Sequence, residues 1–145
     1  MSRKLFLSFD FCHILKNIRN LFIDKKLVLG DKIINSTYLR QIYNTYKHQL
    51  LKPVRFLTRK HIYPSNLERM NVGRALDIFR PEVTAALRCM ADDYPQNKIE
   101  IMSTVQFMEM IFKWFQVILN FTYFDLILLK YIIYRYTMYP THITT

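Results

Sequence analysis

The histidines, cysteines and glycines of this chain show none of the spacings that catalytic or metal sites require. The four histidines lack any mutual metal-ligand spacing, and two cysteines are too few for a zinc site or a disulfide framework. With two glycines there is no glycine-rich phosphate loop, and neither a metalloprotease histidine pair nor a nucleophile elbow occurs. We therefore predict no catalytic residue and no metal ligand, and we interpret Cys12 and Cys89 as buried reduced thiols.

The positive charge of the chain is concentrated in its first half. The formal net charge is +10, and residues 1–80 carry 16 Lys and Arg against five Asp and Glu. Such a surface either faces the phosphates of a nucleotide or nucleic acid, or is simply solvated. Under the first alternative, the expected nucleic-acid contacts are Lys16, Arg19, Arg59 and Lys60.

The elements that must position these residues are predicted to be mainly α-helical. Two glycines and five prolines are too few for the turns of a sandwich or barrel. One short strand is expected at residues 4–9, followed by a helix that Asp10 caps and that ends near Phe22. Ile14, Ile18 and Phe22 recur at four-residue spacing and mark its inward face, so Arg19, like Lys16, should lie off that face.

Capping and breaking residues predict the remaining elements. Residues 23–35 form a loop or small hairpin, a second helix runs from Ser36 to about Leu51 with Leu50 on its apolar face, and residues 52–64 are extended. A capping box at residues 65–68 opens a third helix, whose apolar residues include Met70, and Pro81 begins a fourth that ends near Asp92. Residues 93–102 are a loop, and a second capping box at residues 103–106 opens a long apolar helix.

The apolar tail could in principle be a membrane anchor, but it is short. Between Lys113 and Asp125 the uncharged run is 11 residues, whereas a membrane-spanning helix needs about 20 apolar residues. A buried helix is therefore favoured over a span, and no membrane partner is expected. A secretory signal is rejected as well, because the first apolar run stops at Asp10.

Three segments resemble P-element-like (THAP-family) DNA transposases, with order and spacing that agree across residues 5–115. Residues 9–20 (FDFCHILKNIRN) are similar to the family segment F-D-P-P-H-L-L-K-x-x-R-N. Residues 57–64 (LTRKHIYP), 68–72 (ERMNV), 74–79 (RALDIF) and 81–87 (PEVTAAL) resemble L-T-x-x-H-I … K-M-x-V-x-x-A-x-Q-x-F-S-x-x-V-x-x-A-L. Residues 104–115 (TVQFMEMIFKWF) resemble the helix that follows in the family.

This resemblance implies a fragment of a larger protein. Residues 1–20 would be the last strand of an RNase H-like core with the helix leading out of it, residues 21–116 part of a helical GTP-binding insertion domain, and residues 117–145 a divergent apolar tail. The three metal-binding carboxylates of the family would lie outside the chain, so we expect no catalysis by the chain alone. The resemblance further implies DNA as a partner of the intact protein, self-association, and a nuclear or cytoplasmic location.

The resemblance also implies GTP as the ligand and indicates where it would bind. Val72 matches the family, Arg55 stands beside Phe56 where relatives have Lys, and Asn71 replaces a second Lys. Arg80 replaces a Ser that would cap the next helix, and Gln116 replaces an acid that would accept two hydrogen bonds from guanine. Two alternatives remain open: a sequence-independent nucleic-acid-binding helical protein, and a small membrane-associated protein.

Overall fold

A computed structural model describes residues 10–120, and the strand predicted at residues 4–9 and the tail beyond residue 120 lie outside them. The fold is mainly α-helical, as predicted. Its helices are α1 (Phe11–Asp24), α2 (Thr37–Tyr46), α3 (Arg59–Ile62), α4 (Val72–Asp77), α5 (Pro81–Asp93) and α6 (Lys98–Asn120). Strands β1 (Leu27–Leu29) and β2 (Lys32–Ile34) form an antiparallel hairpin, and 3₁₀ turns cover Glu68–Met70 and Pro95–Asn97.

Helix α1 begins as predicted but buries a different face. The carboxylate of Asp10 accepts a hydrogen bond from the backbone N–H of His13 at 3.0 Å and caps the first turn. Phe22 is fully buried, whereas Ile14 and Ile18 are only partly buried. Arg19 is fully buried, so the expectation that it lies off the inward face is wrong. The buried residues of α1 are Leu15, Arg19, Phe22 and Ile23.

The hairpin predicted as one alternative for residues 23–35 is present and is fastened to α6. Leu27 pairs with Ile34 and Leu29 with Lys32, which leaves a two-residue turn. Gly30 lies in that turn with φ of 59°, a left-handed conformation that glycine adopts without a steric penalty. After β2, the backbone N–H of Asn35 donates to the Thr104 hydroxyl of α6 at 3.1 Å.

Between α2 and α4 the chain departs from several predictions. Helix α2 ends at Tyr46 instead of Leu51, and Leu50 is fully exposed rather than on an apolar face. The segment 52–64 is not extended throughout, because α3 interrupts it. The capping box at residues 65–68 is confirmed, with Ser65 N to Glu68 Oε2 at 2.9 Å, but it opens a 3₁₀ turn in which Met70 is exposed.

Helix α5 begins at Pro81 as predicted, while α6 begins five residues before its predicted start at Ser103. The hydroxyls of Ser103 and Thr104 donate to the carbonyls of Ile99 and Glu100 in their own helix, at 2.9 and 3.0 Å, so they are not capping residues. The predicted loop before them is a 3₁₀ turn followed by the first turn of α6.

Aromatic contacts join α1 to α6 in the core. The ring of Phe22 lies 5.8 Å from the ring of Phe79 and 5.8 Å from that of Phe107, measured between centroids. At the far end of α6, Phe115 meets Phe11 edge-on at 6.0 Å. These contacts pack α1 against α6 and against the segment that follows α4. Within residues 10–120 no helix is both long and apolar enough to cross a membrane.

Candidate functional site

The ring of Phe56 is the centre of a small cluster that holds one of the predicted ligand-binding residues. The guanidinium carbon of Arg80 lies 4.8 Å from the ring centroid, within the range of a cation–π contact. His61 approaches the same ring edge-on at 6.4 Å. Arg80 therefore contacts Phe56, the neighbour of Arg55 in the sequence. Arg55 itself is exposed.

His61 is buried, and one of its two hydrogen bonds stays within α3 and its N-cap while the other links α3 to α4. The backbone N–H of Thr58 donates to its Nδ1 at 3.1 Å, and its Nε2 lies 3.2 Å from Oδ2 of Asp77. Because Nδ1 accepts, the neutral ring carries its proton on Nε2 and donates it to Asp77. The L-T-R-K-H-I segment thus supplies a buried histidine that contacts the last residue of α4.

Arg80 is partly neutralised by two carboxylates. One of its terminal nitrogens lies 3.4 Å from Asp77 Oδ1, and its Nε lies 3.7 Å from Glu82 Oε2. Its side chain nevertheless remains 43% exposed, so the guanidinium can still meet an anion from solvent. As the residue before α5 it forms no side-chain cap, which is the expected consequence of arginine where a serine would cap.

Asn71 and Val72 lie together at the start of α4. The side-chain oxygen of Asn71 accepts a hydrogen bond from the backbone N–H of Arg74 at 2.9 Å, so this residue is the helix cap. Val72 is the first residue of the helix and is partly buried. Asparagine therefore has a local structural function at a position where the family pattern has a lysine.

The four residues predicted to contact nucleic acid differ in their exposure to solvent. Arg59 and Lys60 are exposed, and Lys60 lies 4.0 Å from Glu68, which also pairs with Arg74 at 3.9 Å. The backbone N–H of Ser65 is the main reason that the pKa of Glu68 lies below its ordinary value. Lys16 is partly buried on α1.

Arg19 is fully buried and cannot present its guanidinium to a phosphate at the surface. Its Nη2 donates to the backbone carbonyl of Arg69 at 2.7 Å and its Nε to Asn20 at 2.9 Å, while its buried Nη1 has no partner. Burial, and then the nearby charge of Arg69, lower the pKa of Arg19. Arg69 in turn donates to both carboxylate oxygens of Asp24, at 2.7 and 2.8 Å. This network fastens the end of α1 to the turn before α4.

Gln116 is the predicted site residue that the structure does not connect to the others. It is exposed on α6, one residue after the buried Phe115. Among residues 10–120 no hydrogen bond or ion pair joins it to Arg55, Asn71 or Arg80. At position 116, where the family pattern has an acidic residue, α6 therefore presents an amide and not a carboxylate.

A cleft of about 270 Å³ between α2 and α5 was not found by sequence reasoning. Its walls combine two tyrosines, an exposed thiol, a carboxylate and apolar side chains. They are Gln41, Ile42, Thr45, Tyr46, Pro53, Ala86, Cys89, Met90, Asp93 and Tyr94. The prediction of a buried thiol at Cys89 is wrong, because α5 turns that residue outward into the cleft. The cleft results from how two helices pack, and no local motif signals it.

Within the part of the chain that is described, no group of three or more His, Cys, Asp or Glu residues could hold a metal ion. Comparison with protein families gives one match. The model of the TNP-like, GTP-binding insertion domain matches residues 12–124. Neither a curated protein nor a solved structure matches the chain. Because the family match spans most of the sequence, the chain belongs to the transposase-associated family of TNP-like, GTP-binding insertion domains.

Proposed function

We propose that this chain is part of the GTP-binding insertion domain of a P-element-like (THAP-family) transposase, set into an RNase H-like core. The family match over residues 12–124 carries this proposal. The chain contributes nucleotide binding to DNA transposition in the nucleus, as part of a protein that binds DNA and self-associates. It contributes no catalytic carboxylate, so phosphoryl transfer requires the rest of the transposase.

The cluster around Phe56 supports nucleotide binding. Arg80 stacks on the ring at 4.8 Å and keeps part of its guanidinium in solvent, and Arg55 is exposed close by in sequence. Guanidinium groups bind phosphate through several parallel hydrogen bonds, so two arginines at this position favour a polyphosphate ligand. The hydrogen bond between His61 and Asp77 ties the cluster to the last residue of α4.

Titration with GTP in a calorimeter at low salt tests this function. We expect saturable heat for the protein and an increase in its thermal midpoint with GTP concentration. Arg80→Gln should weaken GTP binding by about tenfold, because a charge-assisted contact with phosphate is lost. Arg88→Gln is the matched control: Arg88 is 44% exposed and also pairs with a carboxylate, Glu109, but lies outside the Phe56 cluster. The absence of both a binding heat and a thermal shift at millimolar GTP would refute nucleotide binding.

A second function, sequence-independent binding of DNA or RNA, is favoured by the exposed cations of residues 55–60. Arg55 and Arg59 form no ion pair with any residue between 10 and 120, so their charge is not neutralised locally. Fluorescence anisotropy with a labelled duplex should show an affinity whose logarithm falls linearly with the logarithm of salt concentration. An affinity that salt does not change would exclude this mode of binding.

A further inference from the structure

The cleft between α2 and α5 is a negatively charged place on a basic protein. The chain has a formal net charge of +10, yet the described residues that line the cleft include no Lys, Arg or His and one carboxylate, that of Asp93. Asp93 is exposed. Its neighbour Asp92 pairs with Lys98 at 2.9 Å, whereas Asp93 has no ion-pair partner among residues 10–120. The cleft therefore offers a ligand a carboxylate that no neighbouring cation neutralises.

The C-terminal end of α5 adds to this negative potential. The helix spans 13 residues and ends at Asp93. Its aligned peptide dipoles place roughly half a negative elementary charge at that end. Met90 and Tyr94, from the last turn of α5 and its C-cap, line the cleft together with Asp93. Charge and dipole thus both favour a ligand that is positively charged and donates hydrogen bonds.

Two tyrosines give the cleft aromatic walls. Tyr46 of α2 and Tyr94 both line it. The face of an aromatic ring attracts a cation, and a planar guanidinium also stacks on it. Ile42, Ala86 and Met90 supply an apolar wall that suits an alkyl stem. The volume of about 270 Å³ is close to the lower limit of ligand pockets, about 300 Å³, and suits one long side chain rather than a nucleotide.

The protein forms both of the contacts that an arginine in this cleft requires. Arg69 donates to both carboxylate oxygens of Asp24, at 2.7 and 2.8 Å. The guanidinium carbon of Arg40 lies 5.8 Å from the ring centroid of Tyr63. The cleft holds the same two kinds of partner, a carboxylate and tyrosine rings, within one cavity.

We propose that the cleft between α2 and α5 binds an arginine side chain presented by a partner protein, with the guanidinium on Asp93 and Tyr94 and the alkyl stem along the apolar wall. This site takes a ligand whose charge is opposite to that of a nucleotide, and it is independent of the proposed GTP binding. Lys47 and Lys52 line a shallow groove beside the cleft. Their charge opposes a cation in the cleft, so removing Lys52 should strengthen arginine binding and weaken the binding of any anion.

Alkylation of Cys89 reports whether the cleft is occupied, because its thiol is exposed and lines the cleft. Iodoacetamide reacts with the thiolate, and peptide mass spectrometry follows Cys89 separately from Cys12 in the unmodified chain. The probes are end-blocked tripeptides with arginine, lysine or glutamine between two glycines. We expect saturating arginine peptide to slow alkylation of Cys89 by about tenfold and to leave Cys12 unchanged. The lysine peptide should protect less, because an ammonium lacks the planar fork, and the glutamine peptide should not protect.

Substitutions in the intact chain identify the groups that hold the arginine. Asp93→Asn should raise the peptide concentration needed for protection by about tenfold, because a charge-assisted pair of hydrogen bonds is lost. Tyr94→Leu should raise it by about threefold, as expected for a cation–π contact at an exposed site. Lys52→Met should lower it by about twofold. Matched controls remove the same groups from exposed residues away from the cleft and should leave protection unchanged: Asp31→Asn, Tyr63→Leu and Lys113→Met.

Protection that prefers arginine and depends on Asp93 supports the proposal. It is overturned if the arginine peptide does not protect Cys89, if the lysine peptide protects equally well, or if Asp93→Asn leaves protection unchanged. Protection by inorganic triphosphate that Lys52→Met abolishes would also overturn it, since the cleft then takes an anion. The comparison of the three peptides uses the unmodified chain, so it decides even if a variant fails to fold. Calorimetry with GTP tests nucleotide binding separately, so either proposal can fail without the other.

Discussion

Replacing Asp24 by asparagine should destabilise the fold by about 1 kcal/mol near neutral pH. Asp24 accepts two hydrogen bonds from Arg69, at 2.7 and 2.8 Å, and asparagine can accept only at its single oxygen. Hydrogen bonds to charged groups contribute about 1.5 to 3 kcal/mol when well buried. Because the Asp24 side chain is 43% exposed, solvent screening reduces the expected loss to about 1 kcal/mol.

The loss should depend on pH with a defined sign. The hydrogen bonds from Arg69 hold the pKa of Asp24 below its ordinary value. A lowered folded-state pKa gives stabilisation that is complete above the unfolded value of about 3.9 and is lost as pH falls through the folded value. The unmodified protein and Asp24→Asn should therefore differ at about pH 7 and converge in strong acid.

Urea unfolding at about pH 7 and at about pH 2.5 measures both quantities from the transition midpoints. Asp92→Asn is a suitable control, because Asp92 is 73% exposed and forms one hydrogen bond with Lys98, so its loss should stay within about 0.5 kcal/mol. If Asp24→Asn were as stable as the control at neutral pH, or if its deficit persisted unchanged in acid, the role assigned to the ion pair would be wrong.

Three further substitutions test the core, the hairpin and the histidine bridge. Phe22→Ala should cost about 3 to 5 kcal/mol in urea unfolding because the ring is fully buried, whereas Leu21→Ala, at a residue 51% exposed, should stay within about 0.5 kcal/mol. Gly30→Ala should lower the thermal midpoint by an amount that corresponds to about 1 kcal/mol, since φ is +59° and no atom obstructs a Cβ; Gly30→Asn should cost less. His61→Ala should cost about 2 kcal/mol and speed hydrogen exchange in α4, because Oδ2 of Asp77 loses its hydrogen bond with His61.

Local signals were sufficient for α5 and insufficient for α6. Proline at the first position and Glu82 in the first turn both favour a helix start through local effects, so the beginning of α5 was predictable. Ser103 and Thr104 match a capping box equally well, but a hydroxyl can also bond to the carbonyl four residues earlier in a helix. The choice depends on tertiary packing: Ile101, upstream of both, is fully buried and extends the helix backwards.

The burial of Arg19 shows a second limit of periodicity. Apolar spacing places hydrophobic residues inward and assigns an arginine to the outer face. In the structure the carbonyl of Arg69 offers a partner 50 residues away, and that partner makes an inward guanidinium tolerable. Likewise the cleft between α2 and α5 depends on how the two helices pack. Its lining residues form no sequence motif, so the cleft could not be predicted from the sequence. Exposed cations such as Arg59 and Lys60 were predictable because charge alone places them at the surface.

The edge-on contact of Phe11 with Phe115 has a consequence for how this unit can be joined to another protein. These rings belong to the first turn of α1 and the last turns of α6, and their centroids are 6.0 Å apart. A short linker could therefore close residues 11–115 into a circle, and new termini could be opened at the Gly30–Asp31 turn. By the same geometry, a host protein can carry this unit within a loop if the two ends of that loop lie little more than the width of two helices apart.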